Sequence, residues 1–481
     1  MKRSKFSLSN YKLLSMDMGE LVPIGLVEVL PGDTIQQATN ALIRASPLLA
    51  PVMHPVHVHI RHFFVPVRLL WDDWEDFITG GPDGLNTDTP PVIPSSQPGV
   101  ITTGGLGDYL GLPNTTTGAM LVSALPFRAY NLIWNEYYRD QDLQTELAIS
   151  TGGGTDLITS TALQRVNWEK DYFTSARPWE QKGASVNIPI WTNGQPIQVR
   201  SSNQPNVNQP LNHSLANPGI LQFPNPSGAN GNVRFGDTTG LQASIQLLRE
   251  AFAIQRYEEA RARFGSRYTE YLRYLGVRSS DARLQRPEYL GGGVQTIQFS
   301  EVLQTAEGSD PVGDLKGHGI AAMRSNRYRR FFEEHGYILS LMSVRPKSIY
   351  MHGIDKLWHR TTKEEYWQQE LQHIGQQEVY NFEVNAGHAN PTGLFGYQDR
   401  YDEYRRQSSS VAGEFRTNTL SYWHFARDFS GATALNSAFV TCNPTERPFA
   451  VPSQDVLYVM AHHSIQARRL VAKSGSRSFV F

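Results

Sequence analysis

Cysteine is nearly absent: the 481 residues include one, Cys442. That excludes an intramolecular disulfide framework and any cysteine-based zinc site. It fits a reducing compartment, or a protein stabilised by other means. No run approaches the roughly 20 apolar residues that a membrane span needs. The start, MKRSKFSLSNYKLLSMDMG, is basic but lacks the apolar core of a signal peptide. Net charge is also nearly absent, with 44 Lys and Arg against 45 Asp and Glu. That argues against a globally basic nucleic-acid binder and leaves room for local patches. Catalytic signatures are missing too. There is no G-x-S-x-G elbow, and the runs at Gly152–Gly154 and Gly291–Gly293 lack the lysine and the strand-turn-helix context of a phosphate loop. A carboxylate pair for glycoside hydrolysis depends on a through-space separation that sequence does not display.

Proline (28), glycine (40) and aromatics (11%) are abundant, which suits a β architecture with long loops and large anchoring rings. The organising stretch is His54 to Trp71. Val56, Val58 and Ile60 alternate with His57, His59 and Arg61, a half-buried strand. From Phe63 the alternation stops, so the strand runs into a region covered on both sides. Pro66 donates no ladder hydrogen bond and belongs at an edge or bulge. Leu21–Leu30 reads as another strand, closed by the turn Pro31-Gly32-Asp33, and Val456–Ala461 as a last one. Tyr337–Met351 reads as two strand segments broken near Pro346.

Helical spacing is sparse. Asp72–Ile78 predicts a short helix stopped at Gly80. A second helix follows Ser123 as cap, with Phe127, Tyr130, Ile133, Trp134, Tyr137 and Tyr138 on a core face. Leu241–Arg263 and a short helix around Tyr268–Leu275 follow later. Residues 278–293 read as an extended, glycine-terminated connection. The region 81–118 reads as turns, and residues 1–18 as a solvated basic terminus or a basic arm for phosphate.

Residues 183–240 are the oddest. Between Arg200 and Arg234 there is no Asp, Glu, Lys or Arg. The composition is Asn, Pro, Gln, Gly and Ser with a few apolar residues, unlike a charged or Gly/Ser linker. It reads as an ordered, loop-built insertion that projects outward and packs on copies of itself. Two patterns carry chemistry. His57 and His59, two apart on one strand face, can share a metal, but residues 61–71 supply no carboxylate beside them. Both ends and the cluster Arg324, Arg327, Arg329 and Arg330 are basic, with aromatics interleaved, as a surface tracking single-stranded nucleic acid requires.

Five segments carry a resemblance: HIRHFFVPVRLLWDDWEDFITGGPDG (59–84), LPFRAYNLIWNEYYRDQDL (125–143), LQRVNWEKDYFTSARPWEQKG (163–183), GSRYTEYLRYLGVRSSDARLQRPEYLGGG (265–293) and FGYQDRYDEYRRQSSSVAGEFR (395–416). Scattered in order over most of the chain, they resemble the major capsid proteins of the Microviridae, the small single-stranded DNA phages, and most closely the gokushovirus branch. The resemblance implies a non-enzymatic virion protein: one eight-stranded antiparallel jelly roll over 1–481 with long inserted loops, assembled in the bacterial cytoplasm as a T=1 icosahedral shell around circular single-stranded DNA. Residues 184–240 take the place of that branch's threefold surface protrusion, making Asn206, Asn212, Phe223 and Asn225 host-contact candidates. Lys2, Arg3, Lys5, Arg468, Arg469 and Lys473 are candidates to face the DNA. Implied partners are copies of the chain, the genome, the phage's internal scaffolding and DNA pilot proteins, and a host surface receptor; no cofactor or metal is implied. The tail ARRLVAKSGSRSFVF departs from the arginine-proline ending common in the family. Two rival readings are a cupin-like jelly-roll metalloenzyme using His57 and His59, and a carbohydrate-binding module.

Overall fold

The strand expected around residue 60 spans Val56–Pro66, and its two faces enter different cores. Val56, Val58 and Ile60 pack between two sheet halves. Phe63 and Val65, on the other face, pack into a second core outside them. The computed structural model describes residues 3–114, 120–186, 245–265, 267–303, 305, 313–429 and 431–472, and the backbone of five short strands within 199–235. Lys2, Lys473, Phe223 and Asn225 lie outside the described residues.

Eight strands make the central architecture: β1 (Asn10–Met16), β2 (Val22–Val29), β3 (Thr34–Ala45), β4 (Val56–Pro66), β5 (Glu288–Leu303), β6 (Leu315–Arg324), β7 (Gly336–Pro346) and β8 (Leu457–Arg469). One half runs β1-β8-β3-β6 and the other β2-β7-β4-β5, all neighbours antiparallel. β5 belongs to both: its first part pairs with β4 and its last residues with β6. This interleaved order is the eight-stranded jelly roll. Met16, Ile24, Ile43, Val58, Met342 and Val459 meet between the halves.

A buried polar network crosses the same interior. His62 Nδ1 meets Ser340 Oγ at 2.8 Å and its Nε2 meets Ser325 Oγ at 3.1 Å. Gln37 donates to Ser340 at 3.0 Å and accepts from Tyr328 at 2.8 Å. His463 bridges Thr39 Oγ1 and the carbonyl of Ile24, both at 2.8 Å. A satisfied network of this kind fixes strand register, because a slipped strand would strand polar groups in an apolar interior.

The outer face of β4 and β7 is covered by α1 (Leu125–Tyr137) and its flanking loops. Phe127, Tyr130, Ile133 and Trp134 are buried as their spacing predicts. Arg128 is fully buried with Asp156 at 2.8 Å and donates to the carbonyls of Leu70 and Gly152 at 2.8 and 2.9 Å. The helix cap is Ala124 rather than Ser123, which ends a short strand, Leu121–Ser123. The 81–118 stretch contains more than turns: Val92–Pro94 pairs with Leu121–Ser123, and Leu106–Leu110 is a helical turn. The short helix expected near 72–78 is Trp74–Thr79, closed by Gly80 at φ 87°.

Other expectations change. Residues 4–7 and 10–16 are strands paired with β8, not a solvated terminus. β8 extends to Arg469, well past Ala461, because it pairs with that N-terminal segment and with β3 throughout. Gly291–Gly293 lie inside β5, not in a connection. A bulge at Tyr289/Gly291 places Gly291 at φ 141°, and a Cβ on Gly292 would sit 2.2 Å from the carbonyl oxygen of Ile60. Glycine is there for close strand approach. Residues 336–346 form one continuous strand with Pro346 at its end.

Residues 181–264 form a second compact unit. Val199–Ser201 pairs with Val233–Phe235 and with Gln204–Asn208, and Asn212–His213 pairs with Leu221–Gln222. The unit ends in α2 (Ile245–Phe264).

Candidate nucleic-acid interface

Opposed residues of an antiparallel pair project to the same face. Register therefore shows what the β1-β8-β3-β6 half presents away from the core. Lys5 lies opposite Arg468, Arg468 opposite Thr34, and Thr34 opposite Phe331. Arg329 aligns with Gln36 and Gln466. Arg324 aligns with Asn40, His462 and Tyr11, and Arg44 with Tyr458 and Ile320. The strand positions of this face carry no Asp or Glu among the described residues. Lys5, Arg44, Arg324, Arg329 and Arg468 form no ion pair with another described residue. Tyr11, Tyr458 and Phe331 are exposed, and Tyr11 stacks on His462 with centroids 4.3 Å apart.

Free cations beside exposed rings, on strands that bring no acid to that face, are suited to phosphates and bases: counterion release supplies affinity, and stacking adds about 1–3 kcal/mol per base. No single strand contributes enough charge to reveal this face. It arises when segments more than 400 residues apart pair.

The candidates from the two ends of the sequence come together here, with different fates. Arg3 lies over the Phe331 ring, 4.9 Å from its centroid. Lys5 and Arg468 are exposed partners across the ladder. Arg469 is committed elsewhere: its Nε is 3.0 Å from the fully buried Asp33 carboxylate, and it also donates to the Glu28 carbonyl. Burial pushes the Asp33 pKa up, with Arg469 opposing that shift. Lys12 turns inward, donating to the carbonyls of Pro23 (3.0 Å) and Tyr109, and burial brings its pKa down to about 8. Asn206 and Asn212 occupy strands of the 181–264 unit.

The histidine pair sits on the outer face of β4. There the fold supplies the carboxylate that the strand itself lacks. Glu169 Oε1 lies 3.0 Å from His57 Nδ1 and 3.5 Å from His59 Nε2. The neighbouring imidazoles of His59 and His57 pull the Glu169 pKa well below the usual carboxylate range. An adjoining cleft of about 390 Å³ is lined by Arg61, Arg139, Arg177, Arg267 and Arg345 with four acids. Its charges are largely spent internally. Asp140 pairs with Lys170 and Arg177, and Arg267 donates to the carbonyls of Asn135, Glu136 and Arg139. That is a polar joint between loops.

A family profile described as "Capsid protein (F protein)" matches residues 1–476. Three relatives, each named capsid protein VP1, align over nearly the whole chain. That of Bdellovibrio phage phiMH2K is 36% identical, covering 94% of this chain and 90% of its own. That of Chlamydia phage 1 is 33% identical (94% and 91%), and that of Spiroplasma virus 4 is 31% identical (91% and 87%).

Proposed function

The chain belongs to the phage F capsid-protein family, in the gokushovirus branch of the Microviridae, and we propose that it builds a T=1 icosahedral shell around circular single-stranded DNA with the acid-free face of the β1-β8-β3-β6 half turned to the genome. It is a structural capsid subunit, and nothing about the family supports the metalloenzyme alternative. The observation that carries the DNA-facing assignment is the alignment of Lys5, Arg468, Arg329, Arg324 and Arg44 with Tyr11 and Tyr458 on one sheet face.

In this reading the basic rows neutralise phosphates, and the rings accept bases without sequence preference. Arg3 extends the same patch, and Lys2 and Lys473 remain DNA-facing candidates by their charge alone. The 184–240 insertion forms the threefold protrusion, and Asn206, Asn212, Phe223 and Asn225 contact the host receptor. Assembly takes place in the bacterial cytoplasm with the phage's internal scaffolding and DNA pilot proteins.

The test compares the wild-type chain with a variant carrying Lys5→Glu, Arg324→Glu, Arg329→Glu and Arg468→Glu, each expressed with the other phage proteins. Negative-stain microscopy and sedimentation should show closed shells for both. The variant's particles should lack DNA. Variant shells packaging a full genome would overturn the assignment of this face. If the wild-type chain formed no shells, the assembly reading itself would fail.

A further inference from the structure

His59 is buried, and neither of its ring nitrogens makes a hydrogen bond to a described residue. Buried polar atoms are rarely left without a partner, so such a ring calls for one. Its Nε2 is 3.5 Å from Glu169 Oε1, beyond a good hydrogen bond, while His57 Nδ1 is 3.0 Å from the same oxygen. The three donor atoms lie within 4.8 Å of one another. Two ligands at bond lengths near 2.05 Å in a tetrahedral zinc site sit about 3.3 Å apart. The Glu169–histidine separations bracket that value.

We propose that His57, His59 and Glu169 form a structural site for a zinc-class divalent ion, pinning the 163–175 segment to the outer face of β4.

Three features define the site. The histidines stand two apart on a strand, so backbone geometry fixes both rings on one face. Lys347 Nζ holds the other carboxylate oxygen, Oε2, at 3.3 Å, which aims Oε1 between the rings as an outer-shell partner does. His57 and Glu169 are partly exposed, which leaves an open side for a water as fourth ligand. The neighbouring cations narrow the choice of ion. Arg345, donating to the Asn167 carbonyl at 2.7 Å, and Lys347 both flank a single carboxylate. Calcium and magnesium need several oxygen ligands and would find one. Two imidazoles instead favour zinc, nickel or cobalt. The segment held by the ion also carries Trp168, whose backbone N–H donates to the Val440 carbonyl at 2.9 Å. The ion would therefore tie the outer loop layer to the jelly roll, and no catalytic step is implied.

The test uses the full chain, stripped with chelator, dialysed and titrated with cobalt(II) and then zinc. One cobalt per chain with visible d–d absorption is expected, displaced by zinc, together with a rise in melting temperature. His57→Ala and Glu169→Gln should abolish the absorption bands, with folding checked by circular dichroism. Lys347→Met should weaken cobalt binding by about 10- to 100-fold, as loss of an outer-shell partner does. His462→Ala, on the opposite sheet half, should leave binding unchanged. The proposal is overturned by absence of stoichiometric cobalt binding, by binding that survives His57→Ala and Glu169→Gln, or by binding lost with His462→Ala.

Discussion

Helices α1 and α2 each carry an apolar stripe, yet they treat it in opposite ways. Nine of the thirteen residues of α1 are buried, among them Phe127, Tyr130, Ile133 and Trp134. In α2 the buried residue is Ala262, while Ile245 is 78% and Phe252 59% exposed. The first helix completes a core within one chain. The second, in the 181–264 unit, holds out apolar surface of the kind that marks contact with another molecule. In a capsid subunit the difference separates what the chain needs to fold from what it needs to assemble. A monomer's stability should be insensitive to α2 and a shell's should not.

The largest effect should come from the buried side of that contrast. Arg128→Met would leave Asp156 charged and unpaired in a fully buried site, destabilising the unassembled chain by about 3–5 kcal/mol in urea unfolding. Little change would break the claim that the α1 layer is part of the folding core.

Acid should act next, through the interior. Burial lowers the pKa of His54 to about 4 and of His62 to about 3, from an ordinary 6.5. The unfolded chain takes up these protons first as pH falls. The histidine contribution is therefore full above pH 6.5 and declines toward pH 4, by about 3 kcal/mol per histidine. Urea midpoints across that range should fall less steeply in His62→Gln; an unchanged slope would contradict the assignment.

Glu383 works in the other direction. Burial pushes its pKa up to about 7, from 4.5. Its contribution is present below pH 4.5 and lost as pH rises through 7. Glu383→Gln should gain about 3 kcal/mol at pH 8 and nothing at pH 4. Equal effects at both would show that the carboxyl is not held neutral.

The smallest monomer effect belongs to α2. Phe252→Ser should shift unfolding by less than about 0.5 kcal/mol while sharply reducing the yield of sedimenting shells. Loss of monomer stability instead would erase the contrast between the helices. Deleting 184–240 sharpens it further: shell yield should survive better than adsorption to host cells, and equal loss of both would count against a host-contact role.

Legibility in the sequence follows the same divide between local and assembled features. The faces of β4 and α1 could be read because each is set by periodicity within one element. β1 escaped because its sequence shows no clean apolar alternation, with Lys12 on the inward side, and what makes it a strand is pairing with β8, some 450 residues away. Gly291–Gly293 looked like a connection because glycine is poor in strands, whereas the ladder needs it to approach Ile60. Arg468 could be singled out as basic, but not its alignment with Lys5, which register alone supplies. Arg469 showed the same charge in sequence, and only the fold commits it to Asp33. The strand that carries His57 and His59 holds no carboxylate beside them. Glu169 answers from more than 100 residues away, which no local pattern indicates.

The measurement closest to the central claim is ultraviolet cross-linking of DNA to protein in filled particles, with the linked peptides mapped by mass spectrometry. The account predicts cross-links on β1, on β8 and on 328–331, centred on Tyr11, Tyr458 and Phe331. Cross-links confined to residues 181–264, or absent from that sheet face in particles that hold a genome, would contradict it.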